Sequence, residues 1–111
     1  MIKFISIFSH PAGASLEEVR DFWFNVHAPF VKANLPGLRK YVINLPLRVP
    51  GAPDPACDGV VELHFDDVAA LQAALASPGW ASAERKTSSS TVIDYQRFRG
   101  IWAEEHVIPL G

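Results

Sequence analysis

His27 stands in the run Trp23-Phe24-Asn25-Val26-His27-Ala28-Pro29, and histidine is the residue type whose unperturbed side chain changes charge near neutrality, the chemistry needed to take up and return a proton. At about 100° per residue, Leu16, Arg20, Trp23, His27 and Phe30 fall in one sector of a helix, with Glu17, Glu18, Asp21, Asn25 and Lys32 opposite. The apolar sector should face the rest of the fold. A histidine there is either a satisfied core residue or part of a polar cavity, since an unpartnered ring under a sheet is costly. Tyr41, early in the following strand, offers a phenol that could donate to a developing oxyanion. Glu62 and His64 share one strand face by the two-residue period, either as a hydrogen-bonded pair at an interface or as substrate-facing groups. Trp23 and Phe30 would supply an apolar wall. Asp94 and Tyr95, at the start of the last strand, are secondary candidates, because strand ends are often simply solvated. His10 and His106 lie near the ends of elements and are expected to be exposed.

Other chemistries leave no trace. The chain has no glycine-rich phosphate loop, G-x-S-x-G elbow, H-E-x-x-H pair or dinucleotide fingerprint. Its four histidines are dispersed, so a metal site would need long-range assembly, and none is expected. Cys57 is the single cysteine, which excludes an intramolecular disulfide. A net charge of −2 and a pI near 6.0, with ten scattered Lys and Arg, give no electrostatic footprint for nucleic acid. The apolar run at residues 2–8 is too short for a membrane span or a signal core, so a cytoplasmic protein with no membrane contact is expected.

Positioning these groups requires a regular frame. A length of 111 residues suits one hydrophobic core, hence a single domain over residues 1–111. Residues 2–8 alternate as a first strand, ended by His10-Pro11. Ser15-Leu16-Glu17-Glu18 is a capping box that opens a helix to about Ala33, where Leu35-Pro36-Gly37 stops it. Arg39 to Arg48 form a second strand, and Pro46 to Gly59, with four prolines, a long loop of the kind that borders sites. Val60 to Phe65 form a third strand, after which Asp66-Asp67 caps a helix from Val68 to Ala76. A short helix around Trp80 to Lys86, a polar connection from Thr87 to Thr91 and a last strand from Ile93 to Trp102 complete the chain. The order βαββαβ is the ferredoxin-like α+β arrangement, an antiparallel four-stranded sheet with both helices on one face. With 49% hydrophobic residues, the other face should be covered by a second copy, giving a dimeric α+β barrel.

Phe22-Trp23 with His27-Ala28-Pro29, Pro36-Gly37-Leu38 with Tyr41, the run Asp58 to Asp67 and the closing Glu105-His106-Val107-Ile108 together resemble the EthD family, over nearly the whole chain. The resemblance implies a homodimer joined through its sheets and a pocket between the first helix and the sheet. Relatives include methylmuconolactone isomerases and polyketide cyclases, which act on small aromatic or lactone compounds without metal or organic cofactor. It implies His27 as general acid/base and Tyr41 as its hydrogen-bonding companion, and matches Glu62 to a strand glutamate of the family. Leu63 stands where the isomerases carry a cysteine, which argues against importing their reaction. The function so implied is cofactor-free proton transfer, serving isomerisation, cyclisation or an oxidative degradation step on a small aromatic, lactone or ether-derived compound. A non-catalytic small-molecule binding or accessory protein of a catabolic cluster is the alternative.

Overall fold

The computed structural model describes residues 1–81 and 92–111. Four strands, β1 (Ile2–Phe8), β2 (Lys40–Asn44), β3 (Gly59–Phe65) and β4 (Arg99–Glu104), pair antiparallel in the order β2-β3-β1-β4. The helical segments are α1 (Leu16–Phe22), a π turn (Trp23–His27), α2 (Ala28–Asn34) and α3 (Val68–Leu75). This is the expected ferredoxin-like arrangement. Ser15 caps α1, its hydroxyl accepting the Glu18 amide at 3.1 Å, and Asp67 caps α3 by accepting the Ala70 amide at 2.8 Å. Among the described residues no helix is long and apolar enough to cross a membrane.

Strand alternation and register divide the sheet into two faces. Phe4, Ser6 and Phe8 of β1, Val61, Leu63 and Phe65 of β3, and Tyr41 and Ile43 of β2 turn towards the helices. There Phe8, Phe65, Leu71, Val19 and Val31 form the fully buried centre of the core. Lys3, Ile5 and Ile7, Val60, Glu62 and His64, Val42, and Ile101 lie on the opposite face, which no helix among the described residues covers. Gly59 faces the Phe8 ring across the ladder, and a methyl group there would overlap it, so this strand start requires glycine.

The elements depart from the sequence reading in three places. β2 stops at Asn44 rather than Arg48, where the proline-rich stretch begins. β4 begins at Arg99 rather than Ile93: Val92 and Ile93 are buried, but residues 94–97 turn, with the Arg97 amide bonded to the Asp94 carbonyl at 3.1 Å. The apolar character of Val92 and Ile93 thus comes from core packing, not strand pairing. The short helix expected from Trp80 and the polar connection after it fall, beyond Ala81, outside the described residues.

Candidate functional site

The helix that carries His27 is not uniform. Pro29 has no amide hydrogen to give to the preceding turn, and its ring crowds the carbonyl four residues back. The chain widens the turn instead, with the Ala28 amide donating to the Trp23 carbonyl five residues earlier. In a regular helix a stripe of residues four apart drifts by about 40° per step. The wider turn offsets that drift, and the buried stripe becomes Val19, Trp23, His27 and Val31. Leu16 and Arg20, expected on this face, are exposed.

Trp23, His27 and Val31 line a cavity of about 280 Å³ between helix and sheet. Its floor is Phe4 and Ser6 of β1 with Val61 and Leu63 of β3, and Trp80, Ile93, Tyr95 and Phe98 close the remaining side. Among the described residues the lining is mostly apolar and includes no Lys, Arg, Asp or Glu. His27 is 6% exposed, with its ring edge-on to Trp23 at 4.3 Å between centroids, nearly parallel to Phe22 at 5.8 Å and 5.9 Å from Trp80. Trp23 in turn stacks on Phe8 at 4.2 Å. The imidazole is therefore set by packed aromatic rings on a helix, a firmer mounting than a loop provides.

The remaining candidates are distributed differently. Phe30 is half-buried behind the cavity, 6.2 Å from the Trp80 ring, and does not line it. Tyr41 points to the helix side of the sheet, beside Leu63 in the ladder, but is not a lining residue either. Its hydroxyl is buried with no hydrogen-bond partner among the described residues. Burial pushes the phenol up to about 12, so it stays protonated, a donor rather than a base.

Glu62 and His64, left open between an interface pair and substrate-facing groups, lie on the sheet face opposite the His27 cavity and do not line it. The two-residue period placed them correctly on one face, but the register with β1 turns that face away from the helices. There Lys3 Nζ binds Glu62 at 2.7 Å and Glu105 at 3.3 Å, and Asn44 donates to Glu62 at 3.0 Å. The lysine and the asparagine hold the Glu62 carboxyl below its ordinary range, and Glu62 in turn raises Lys3. His64 is 3% exposed beneath this cluster, its Nε2 3.5 Å from Glu62, within ion-pair reach but without a hydrogen bond.

Of the outlying histidines, His106 is exposed as expected. His10 is not: its amide and Nδ1 both meet Asp58 Oδ2, at 2.5 and 2.6 Å. The proline-rich loop packs near the start of α1 and contributes nothing to the His27 cavity. Asp94 does not line the cavity, whereas Tyr95 does. Ser6, Trp80 and Ile93 were not singled out by the sequence reading. Ser6 had a legible signal, being the one polar side chain at a helix-facing position of β1, between Phe4 and Phe8. Among the described residues no three His, Cys, Asp or Glu side chains converge as metal ligands.

Comparison with known proteins adds to this geometry. The family model for the EthD domain matches residues 11–87. A crystal structure of an ethyl tert-butyl ether degradation (EthD) family protein from Bacillus halodurans superposes with a TM-score of 0.76 at 23% identity, covering 96% of this chain and 99% of the other. SnoaB from Streptomyces nogalater, a cofactor-independent oxygenase, superposes at 0.66 with 18% identity, over 99% and 97%. A dimeric ferredoxin-like protein of unknown function from Bacteroides fragilis superposes at 0.66 with 15% identity, over 94% and 95%. At these identities the likeness is one of fold. No curated protein sequence matches the chain.

Proposed function

The chain belongs to the EthD domain family, and from that membership we propose that it is an enzyme in which His27 moves a proton on a small ring compound held in the cavity between helix and sheet. The observation that carries the reading is a buried imidazole in the wall of a mostly apolar cavity. Apolar cavities of about 150 Å³ accept benzene. At about 280 Å³ this one suits roughly two fused rings. In such a site a neutral imidazole accepts a proton and, as imidazolium, returns it. Removing a proton to leave an electron-rich anion is a step shared by isomerisation, cyclisation and cofactor-independent oxidation, the last being the activity described for SnoaB. The proposal extends to that shared step.

The photoacid 2-naphthol tests it, because the excited molecule emits as naphtholate only where a base receives its proton. Bound to the native protein it will emit as naphtholate, and bound to His27→Gln as the neutral phenol. Binding with neutral emission in the native protein would instead mark a site that holds ligands without proton transfer.

We further propose that a second copy covers the open sheet face. Ile5, Ile7, Val42, Val60 and Ile101 would otherwise leave that face wet around the Lys3 and Glu62 cluster. The dimeric Bacteroides fragilis protein of the same fold supports this reading. Light scattering at micromolar concentration will return about twice 12.2 kDa, and a monomer would overturn it.

A further inference from the structure

Ser6 stands on the helix-facing side of β1 between Phe4 and Phe8, in the floor of the cavity whose wall carries His27. The residue is buried, at 8% exposure, among apolar neighbours. Val61 and Gly100 stand opposite it in the two ladders, and neither they nor Phe4 and Phe8 bring a polar side-chain atom to it. Its hydroxyl makes no hydrogen bond among the described residues. The Trp23, Tyr41 and His64 atoms that lack partners among those residues are sealed inside the protein, whereas the Ser6 hydroxyl is not sealed and opens to the cavity that Ser6 lines. Strand alternation aims it there, because a serine side chain has no heavy atom beyond its hydroxyl oxygen to present. Alanine or valine would fill this position without leaving a polar group unsatisfied, so the hydroxyl is matched to something that enters the cavity.

We propose that the Ser6 hydroxyl holds the oxygen of a cyclic ketone that His27 converts to its enol. The inference rests on the proton-transfer reading of His27 and adds the substrate class. A hydroxyl both donates and accepts, and it rotates to suit its partner. A ketone oxygen only accepts, while an enol oxygen also donates, so one serine can keep its hydrogen bond to either form. In the step itself, a proton on the carbon α to the carbonyl passes to an imidazole nitrogen of His27. The electron pair of the broken C–H bond becomes the C=C bond, and the carbonyl π pair moves onto oxygen. The enolate oxygen then takes a stronger hydrogen bond from Ser6 than the ketone did, which favours the transition state over the ground state. Return of the proton from the imidazolium to oxygen gives the enol, and return to carbon gives a ketone; either restores neutral His27.

The pair 2-tetralone and tetralin isolates the contact, since the two differ in the ketone oxygen on one bicyclic skeleton. Calorimetry on the native protein is expected to show 2-tetralone binding about tenfold more tightly than tetralin. In Ser6→Ala that preference will collapse to within about twofold, through loss of ketone affinity alone. At saturating ketone the same variant will exchange the α-hydrogens with solvent about a hundredfold more slowly. Without ligand its thermal midpoint will hold or rise, because the change removes a hydroxyl that the protein itself leaves unpaired. A lowered midpoint would show that the hydroxyl serves the fold and would overturn the proposal. A ketone preference retained in Ser6→Ala, or unchanged exchange at saturation, overturns the role of Ser6 and leaves His27 as base untouched. Equal binding of the two compounds by the native protein overturns the substrate class, and failure to bind either overturns the cavity reading and this inference with it.

Discussion

Exchange of the α-hydrogens of 2-tetralone for solvent deuterium, followed by proton NMR, will be slowed by about 10²–10⁴-fold when His27 is replaced by glutamine, at saturating ketone. Glutamine keeps a polar side chain of similar reach but has no nitrogen that titrates near neutrality, so it separates proton transfer from packing. The magnitude is that of a positioned general base. His27 is suited to the role by its surroundings: three aromatic rings hold its plane, and a helix rather than a loop fixes its Cα. Among the described residues that line the cavity none has comparable basicity, since Ser6 and Tyr95 bring only hydroxyl groups to it. Equal exchange by the native and His27→Gln proteins would remove the histidine from the mechanism. Loss of exchange together with loss of ketone binding would give it a binding role only.

Alanine at Gly59 will destabilise the fold by about 1–3 kcal/mol, lowering the thermal midpoint by several degrees. The residue is buried at the start of β3, directly across the ladder from Phe8, and a Cβ there overlaps the far edge of the phenyl ring. Phe8 cannot swing away without cost, because it is fully buried and stacked on Trp23. The strain therefore passes along Gly59, Phe8 and Trp23 to the cavity wall, and ketone binding should weaken along with stability. Phe8→Leu on its own removes ring contacts and destabilises. Combined with Gly59→Ala it vacates the space the methyl group needs, so the double variant will lose less than the sum of the single losses. Additive losses in that cycle would show that the two residues do not share the space.

The architecture was legible because its signals are local and redundant. Ser15 and Asp67 mark helix starts, Ile2 to Phe8 and Val60 to Phe65 alternate, and four strands with two helical regions in that order admit few topologies. The site was legible only in part. Trp23 and His27 were found because they repeat at a helical interval, but a wheel of uniform pitch could not register the wider turn that Pro29 imposes, and it misplaced Leu16 and Arg20. Glu62 and His64 were grouped correctly but their side stayed open, since alternation tells which residues share a face and only pairing with β1 tells which face is covered. Trp80, Ile93 and Tyr95 reach the cavity from segments without periodic pattern, and no spacing rule links them to a histidine far earlier in the chain.

The cavity has two kinds of wall. The side that carries Trp23 and His27 and the floor stand on a helix and two paired strands, where a change of backbone would disturb the whole core. The remaining side, Trp80 with Ile93, Tyr95 and Phe98, comes from irregular chain that is not part of the strand ladder. Under the proposed function, proton transfer and the fit of the ring system fall to separable parts of the molecule. Descendants of this chain, natural or designed, can trade one ring system for another by rewriting the irregular side while inheriting the proton-transfer apparatus intact.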